Sequence, residues 1–222
     1  MNEATMENTK EKVNIKDNIY RLMKRSFDII VSFIGIIFLI PITVIVKIAY
    51  MISGDFNTVF YSQMRIGKDG KLFKLYKYRS MLVDSEDILS NTLKMDPIAA
   101  EEYRTTKKLK NDPRITKAGK VIRKLSIDEL PQLVNVLKGD MSLIGNRPYL
   151  PREKEDMGPF YESIIKTKPG ITGYWQVNGR SSTTFGKRLE LESYYSNHQS
   201  LRLDIKIFYK TFAVVLLHKG AE

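Results

Sequence analysis

Asp128 and Glu129 are adjacent carboxylates in the stretch Leu125-Ser126-Ile127-Asp128-Glu129-Leu130-Pro131-Gln132-Leu133, and their types and spacing could do covalent chemistry. Side by side, two carboxylates can divide labour. One attacks phosphorus as a nucleophile, and the other holds Mg²⁺, a hard cation that prefers oxygen ligands. The competing reading is structural: Ser126 and Glu129 have the offset of a capping box ahead of apolar Leu130, Leu133, Val134 and Leu137, which would make Glu129 a helix cap. Pro131 weighs against it, because proline lacks an N–H and disfavours helical geometry at Leu130. A helix beginning near Pro131 predicts both carboxylates around a helix N-terminus, where the dipole and free N–H groups favour anions.

The elements that must hold this pair belong to a chain of 222 residues, the size of one core with a small attachment. A formal charge of +11 implies a polyanionic partner: a nucleic acid, a phosphorylated substrate or an anionic membrane face. There is no cysteine, and His198 and His218 are the two histidines. Disulfides and cysteine-ligated zinc are therefore excluded, a Ser-His-Asp triad or a histidine metal site is disfavoured, and each histidine reads as a surface or helix-end residue.

Residues 1–19 are polar and mixed in charge, and read as a flexible tail. Ile29 to Val46 then form 18 consecutive uncharged residues, apolar all round, which marks a membrane segment or a deeply buried helix. As a helix this run would be roughly 27 Å long, slightly short of a hydrocarbon core of about 30 Å. Pro41 lies inside it and predicts a kink or break between Ile37 and Pro41. Lys16, Arg21, Lys24 and Arg25 precede the run and Lys47 follows it, so both flanks carry charges that favour the cytoplasmic side. A kinked span and a re-entrant hairpin both fit these residues.

Beyond it, aromatic and aliphatic alternation around Arg65-Ile66-Gly67-Lys68-Asp69-Gly70-Lys71 predicts a β-hairpin ending at Arg79. Its cations form either a solvated face or a wall for phosphates and lipid head groups. Helices are expected over Ser80–Met95, Pro97–Lys110 and Lys117–Lys124, with Arg114 and Arg123 approaching the carboxylates from flanking elements. Gly145-Asn146-Arg147-Pro148, Lys168-Pro169-Gly170-Ile171-Thr172-Gly173 and Asn178-Gly179-Arg180 read as loops, each bringing a cation that can meet phosphate oxygens. Trp175 reads as a stacking surface for a substrate ring or as a core or membrane-interface anchor. The stretch through Leu201, Ile205, Phe208, Phe212, Val215 and Leu216 has helical spacing and predicts an amphipathic helix packed on the domain or lying in the membrane interface.

These segments together resemble the bacterial sugar transferases, the monotopic polyprenyl-phosphate phosphoglycosyl transferases. The resemblance runs from about Lys24 onward. It is carried by Gln63-Met64-Arg65-Ile66-Gly67, Tyr76-Lys77-Tyr78-Arg79-Ser80-Met81, Asp112-Pro113-Arg114-Ile115-Thr116, Ser126 to Leu133, Gly139-Asp140-Met141-Ser142-Leu143 and Lys168 to Gly173. It implies transfer of a hexose-1-phosphate from a UDP-sugar to undecaprenyl phosphate, with release of UMP, as the first step of a capsule or exopolysaccharide repeat unit. Asp128 would then be the nucleophile and Glu129 the Mg²⁺ ligand, with Arg79, Arg114, Arg123, Arg147 and Lys168 as substrate-binding candidates. The fold implied is α+β and mostly helical: a re-entrant membrane helix over 20–52 broken at Pro41, then a cytoplasmic catalytic domain over 53–222 with a β-hairpin and amphipathic interface helices. The chain departs from the family pattern at Ile40, where Ser is common before the proline, and at Asn146, where Pro-Arg-Pro is common. It resembles the catalytic unit alone. The partners implied are the two substrates and membrane lipids at the cytoplasmic face of a bacterial cell membrane, with no nucleic acid and a homo-oligomer left open. The rival reading is a non-enzymatic, membrane-tethered basic module that binds nucleic acid or anionic lipid; no recognition-helix or RNA-binding motif supports it.

Overall fold

The longest element is α1, a helix of 50 residues from Glu3 to Ile52. The computed structural model describes residues 3–179 and 183–216, with side-chain surroundings for 15–179 and 183–213, so Arg180 and His218 lie outside the described residues. Helical backbone begins at Glu3, within the stretch read as a tail. Pro41 sits inside the helix, and α1 continues through it as one element rather than as the two helices expected from a break there. Asp28, Ser32, Leu39, Val46 and Tyr50 are buried along one side, the spacing of a single packed stripe. Outside that stripe the helix is apolar and bare: Phe33 and Phe38 are each 61% exposed and Ile40 is 70% exposed. The described helix from Ile15 to Ile52 is long and apolar enough to cross a membrane, its most apolar 18-residue window having a mean hydropathy of 3.0.

β1 (Phe60–Ile66) and β2 (Leu72–Tyr78) form the expected antiparallel hairpin, in register from Phe60 opposite Tyr78 to Ile66 opposite Leu72. The helices that follow are shorter than their sequence pattern. α2 covers Ser85–Met95, because Met81 pairs instead with Ile115 in an isolated bridge. α3 covers Pro97–Thr106, opened by the Asp96 side chain, which accepts the Ile98 and Ala99 N–H groups, and closed by left-handed Lys107. α4 (Lys117–Lys124) has the predicted bounds, and the Thr116 hydroxyl accepts the Gly119 N–H at its start.

A 3₁₀ turn over Ile127–Glu129 leads into α5 (Gln132–Lys138), which begins directly after Pro131 as its sequence requires. α5 lies against α1 closely enough that a Cβ at Gly35 would stand 2.7 Å from Leu133 Cδ1. β3 (Ser142–Ile144), the short helices α6 (Lys154–Met157) and α7 (Tyr161–Ile164), and β4 (Gly170–Thr172) follow. β3, just before the Gly145–Pro148 loop, pairs in parallel with β4 inside the Lys168–Gly173 loop, Ser142 opposite Gly170 and Ile144 opposite Thr172, and a separate bridge joins Asn146 to Pro169. A Cβ on Gly145 would lie 2.3 Å from the Lys168 carbonyl oxygen, so this approach requires glycine.

α8 (Tyr174–Asn178), α9 (Phe185–Asn197) and α10 (Leu201–Leu216) complete the fold. On α10, Leu203 and Ile207 turn inward while Leu201, Ile205, Tyr209 and Phe212 are exposed. Of the predicted apolar stripe, Leu201, Ile205 and Phe212 therefore face outward, while Phe208 packs on the core and meets Phe27 of α1 edge to face with ring centroids 5.5 Å apart. The architecture is α+β and mostly helical, with two two-stranded sheets among the described residues.

α1 is bonded to several elements of the domain. Lys24 Nζ pairs with Asp204 at 2.6 Å, and the Arg25 guanidinium donates to the Val136 and Leu137 carbonyls at the end of α5 at 2.6 and 2.8 Å. The Asp28 carboxylate accepts from the Ser142 hydroxyl and the Leu143 N–H. Near the other end the Thr43 hydroxyl, which also bonds the Leu39 carbonyl, meets the Tyr78 hydroxyl at 2.6 Å, and the Tyr50 hydroxyl donates to the Arg79 carbonyl.

Candidate active site

Strand parity places the cation of this site. Tyr78 at the end of β2 is 1% exposed, packed under α1 and stacked on Phe60, so its neighbour Lys77 projects to the other face of the strand. There Lys77 Nζ lies 2.8 Å from Glu129 Oε1 and 3.9 Å from Asp128 Oδ2. The carboxylates are presented by a sharp reversal: Ser126 leaves α4 in the left-handed region with φ 56°, and Ile127–Glu129 wind as a 3₁₀ turn. Ser126 makes no side-chain cap bond, and Glu129 turns to Lys77, so the capping box is not formed.

The two acids are electrostatically unlike. Burial raises the Asp128 pKa, and the Glu129 charge adds to this against the pull of Lys77 and Arg123; the net shift is upward. For Glu129 burial acts in the same sense, but the charge and hydrogen bond of Lys77, with Arg147 and Arg123 behind them, outweigh it and hold this carboxyl below its usual range. Environments that push two neighbouring carboxyls apart are the signature of divided roles. Glu129 stays ionised, as a cation ligand must, while Asp128 is the more basic oxygen and the stronger nucleophile once ionised. Asp128 is 8% exposed and the Glu129 side chain 36%.

The donor set suits magnesium shared with a substrate. Among the described residues there is no group of three or more His, Cys, Asp or Glu able to hold a metal on its own. Mg²⁺ is commonly held by one or two carboxylates together with water and substrate phosphates, and the adjacent Asp128 and Glu129 supply that number.

The predicted substrate cations separate into two groups. Arg123 and Arg147 act electrostatically on Glu129. Arg79 does not turn toward it: its guanidinium grips Asp55 at 2.8 and 2.9 Å, donates to the Thr58 and Met81 carbonyls, and lies 5.2 Å from the Tyr50 ring centroid. Arg114 is likewise bound to its neighbour Asp112 at 2.6 and 2.8 Å. Lys168 lies at the far end of α5, close to Gly139 and Arg25. Asp55→Ala is expected to lower the unfolding free energy by about 3 kcal/mol, because it strands the buried Arg79 charge; a denaturation curve with an unchanged midpoint would contradict this.

Trp175 is 3% exposed and belongs to the interior, with its indole Nε1 donating to the Thr183 hydroxyl at 2.7 Å. His198 caps the end of α9 and bonds the Tyr194 carbonyl, as a helix-end residue would. Three participants went unread in the sequence. Lys77 was findable from the alternation Tyr76-Lys77-Tyr78, whereas Lys108 and Arg188 reach the neighbourhood of Arg147 and Glu129 through tertiary packing that no local pattern signals.

The sequence profile of the bacterial sugar transferase family matches residues 19–218. The chain belongs to that family. It is 43% identical to the undecaprenyl-phosphate galactose phosphotransferase of Salmonella typhimurium over 94% of this chain and 43% of that protein, so it spans less than half the length of that relative. The exopolysaccharide production protein ExoY of Sinorhizobium fredii is 39% identical, over 90% of this chain and 88% of the relative. The UDP-glucose:undecaprenyl-phosphate glucose-1-phosphate transferase of Escherichia coli is 34% identical, over 91% of this chain and 42% of the relative.

Proposed function

We propose that this bacterial sugar transferase moves a hexose-1-phosphate from a UDP-sugar to undecaprenyl phosphate through an Asp128-bound intermediate, initiating capsular or exopolysaccharide synthesis. The observation that carries the reading is the split carboxylate pair beside Lys77, in a chain whose relatives are named for this transfer between galactose or glucose donors and the same lipid. In the first step an Asp128 carboxylate oxygen attacks the phosphorus next to the sugar, the phosphoanhydride bond breaks, and UMP leaves. In the second, a phosphate oxygen of the lipid attacks that phosphorus and displaces the carboxylate, regenerating Asp128 and giving the lipid diphosphate sugar. Lys77, Arg123 and Arg147 offset phosphate charge. Mg²⁺ on Glu129 and the phosphates would neutralise charge developing on the leaving oxygen.

The lipid has an approach. An open groove of about 620 Å³ between α1 and β1, lined by Val44, Ile48, Val59 and Phe60 with Lys47 among them, suits an isoprenoid chain ending in a phosphate. Membrane placement is supported by the contacts of α1. Its Lys24 and Arg25 flank and its Thr43 and Tyr50 end bind the same domain, whereas a simple span would carry one flank to the far side. These contacts support a reading in which both ends of the apolar run and the domain share one side, and the flanking cations favour the cytoplasmic one.

Incubating detergent-solubilised protein with UDP-glucose, UDP-galactose and their N-acetyl forms, undecaprenyl phosphate and Mg²⁺ is expected to release UMP and form lipid-linked sugar with at least one donor. Silence with all four would sink the reading. Salt-sensitive binding of nucleic acid without turnover would favour a basic binding module instead.

A further inference from the structure

Trp175 is the single tryptophan of the chain, and cations cover it. The Arg188 guanidinium lies 4.2 Å from its ring centroid, Lys108 Nζ 5.7 Å and the Arg147 guanidinium 6.0 Å. They come from three separate segments: Lys108 follows α3, Arg147 follows β3, and Arg188 lies on α9. Among the described residues none of the three has an ion-pair partner. Arg188 is 2% exposed, and although one of its terminal nitrogens donates to the Thr106 carbonyl, its Nε bonds nothing. Arg147 Nε is also buried and bonds nothing.

Three acids act on this group: Glu192 and Glu153 on Arg188, and Glu129 on Lys108. Glu192 accepts the Arg147 backbone N–H at 3.1 Å, its other oxygen lacks a partner, and burial pushes its pKa up to about 7. It therefore neutralises less than one of three cations at neutral pH. Lys108, half-buried and repelled by Arg147, Arg188 and Arg123, titrates near 8 and is cationic in most molecules at pH 7. Desolvated cations without counter-charge cost several kcal/mol each. An arrangement of this kind is stable against that cost when an anion is present to complete it.

We propose that Lys108, Arg147 and Arg188, assembled on Trp175, form the subsite that holds the diphosphate of the nucleotide sugar beside Glu129. The inference rests on the reading above and adds the residues that grip the donor. Position favours the diphosphate, since Lys108 and Arg147 both lie within electrostatic reach of Glu129. Cations already lie over the indole, which makes it a platform for them rather than a surface for a base.

The test is calorimetric titration of the detergent-solubilised full chain with inorganic pyrophosphate at pH 7, with Trp175 emission followed in parallel. Wild-type protein is expected to bind with a shift in emission. Lys108→Met should weaken affinity at least tenfold, Lys108→Arg should stay within threefold, and the surface control Lys94→Met should match wild type. Equal affinity in wild type and Lys108→Met, or no pyrophosphate binding by wild type, would overturn the subsite. If pyrophosphate binds as expected but no UDP-sugar is turned over, the subsite stands and the transferase reading falls. If turnover proceeds with the same KM in Lys108→Met, the reverse holds.

Discussion

Asp128→Asn is expected to reduce transfer by about 10⁴-fold or more, because it removes the oxygen that the proposed mechanism bonds to phosphorus. The amide keeps the shape of the side chain, so the loss should not arise from unfolding. Linkage makes the second half of this prediction specific. The folded-state pKa of Asp128 is raised, by burial first, so the wild-type protein loses stability as pH rises from the unfolded value through the folded one. A neutral amide escapes that loss. The variant should therefore melt no lower than wild type above neutral pH while being inactive, and radiolabelled donor should leave no label on the protein. Retained turnover with labelled enzyme would move the nucleophile elsewhere.

Lys77→Met carries the next largest effect, about 10²-fold at pH 7, the range of a well-placed proton or charge partner. Lys77 pulls the Asp128 pKa down against burial and against Glu129. With the ammonium gone, burial and Glu129 push upward against only Arg123 and a backbone hydrogen bond, fewer molecules hold an ionised Asp128 at pH 7, and the acid limb of kcat/KM moves to higher pH. Lys77→Arg should restore the limb in part. Stability should change by less than about 1 kcal/mol, because the Lys77–Glu129 pair is partly open to water, with side chains 24% and 36% exposed. A pH profile whose acid limb stays in place would show that Lys77 does not set the charge of Asp128.

Local rules carried much of this fold. Thr116 capped α4 where the pattern ended, Pro131 fixed the start of α5, and alternation around Gly67 and Gly70 gave the hairpin. What failed was non-local. Strands β3 and β4 are three residues each and pair across a long crossover, so neither run was long enough to declare itself. The site shows the same division. The carboxylates were legible from their adjacency and from Pro131. The surroundings of each cation depended on partners that spacing does not reveal: Asp55 and Asp112 hold Arg79 and Arg114, while Lys108 and Arg188 gather on Trp175. At Pro41 the local rule offered a kink or a break, and the helix carries the proline without ending.

The bonds between α1 and the domain make the anchor and the catalytic layer a single cooperative unit. Arg25 closes the last turn of α5, Asp28 holds β3, and Thr43 and Tyr50 secure the end of β2 that presents Lys77. A fragment cut after Ile52 would expose the faces these contacts cover and would lack the bonds that fix α5, β3 and β2. Folding of the layer that carries the acidic pair is thereby coupled to placement of the apolar helix, so whatever surface receives that helix also governs whether Asp128 and Glu129 are assembled.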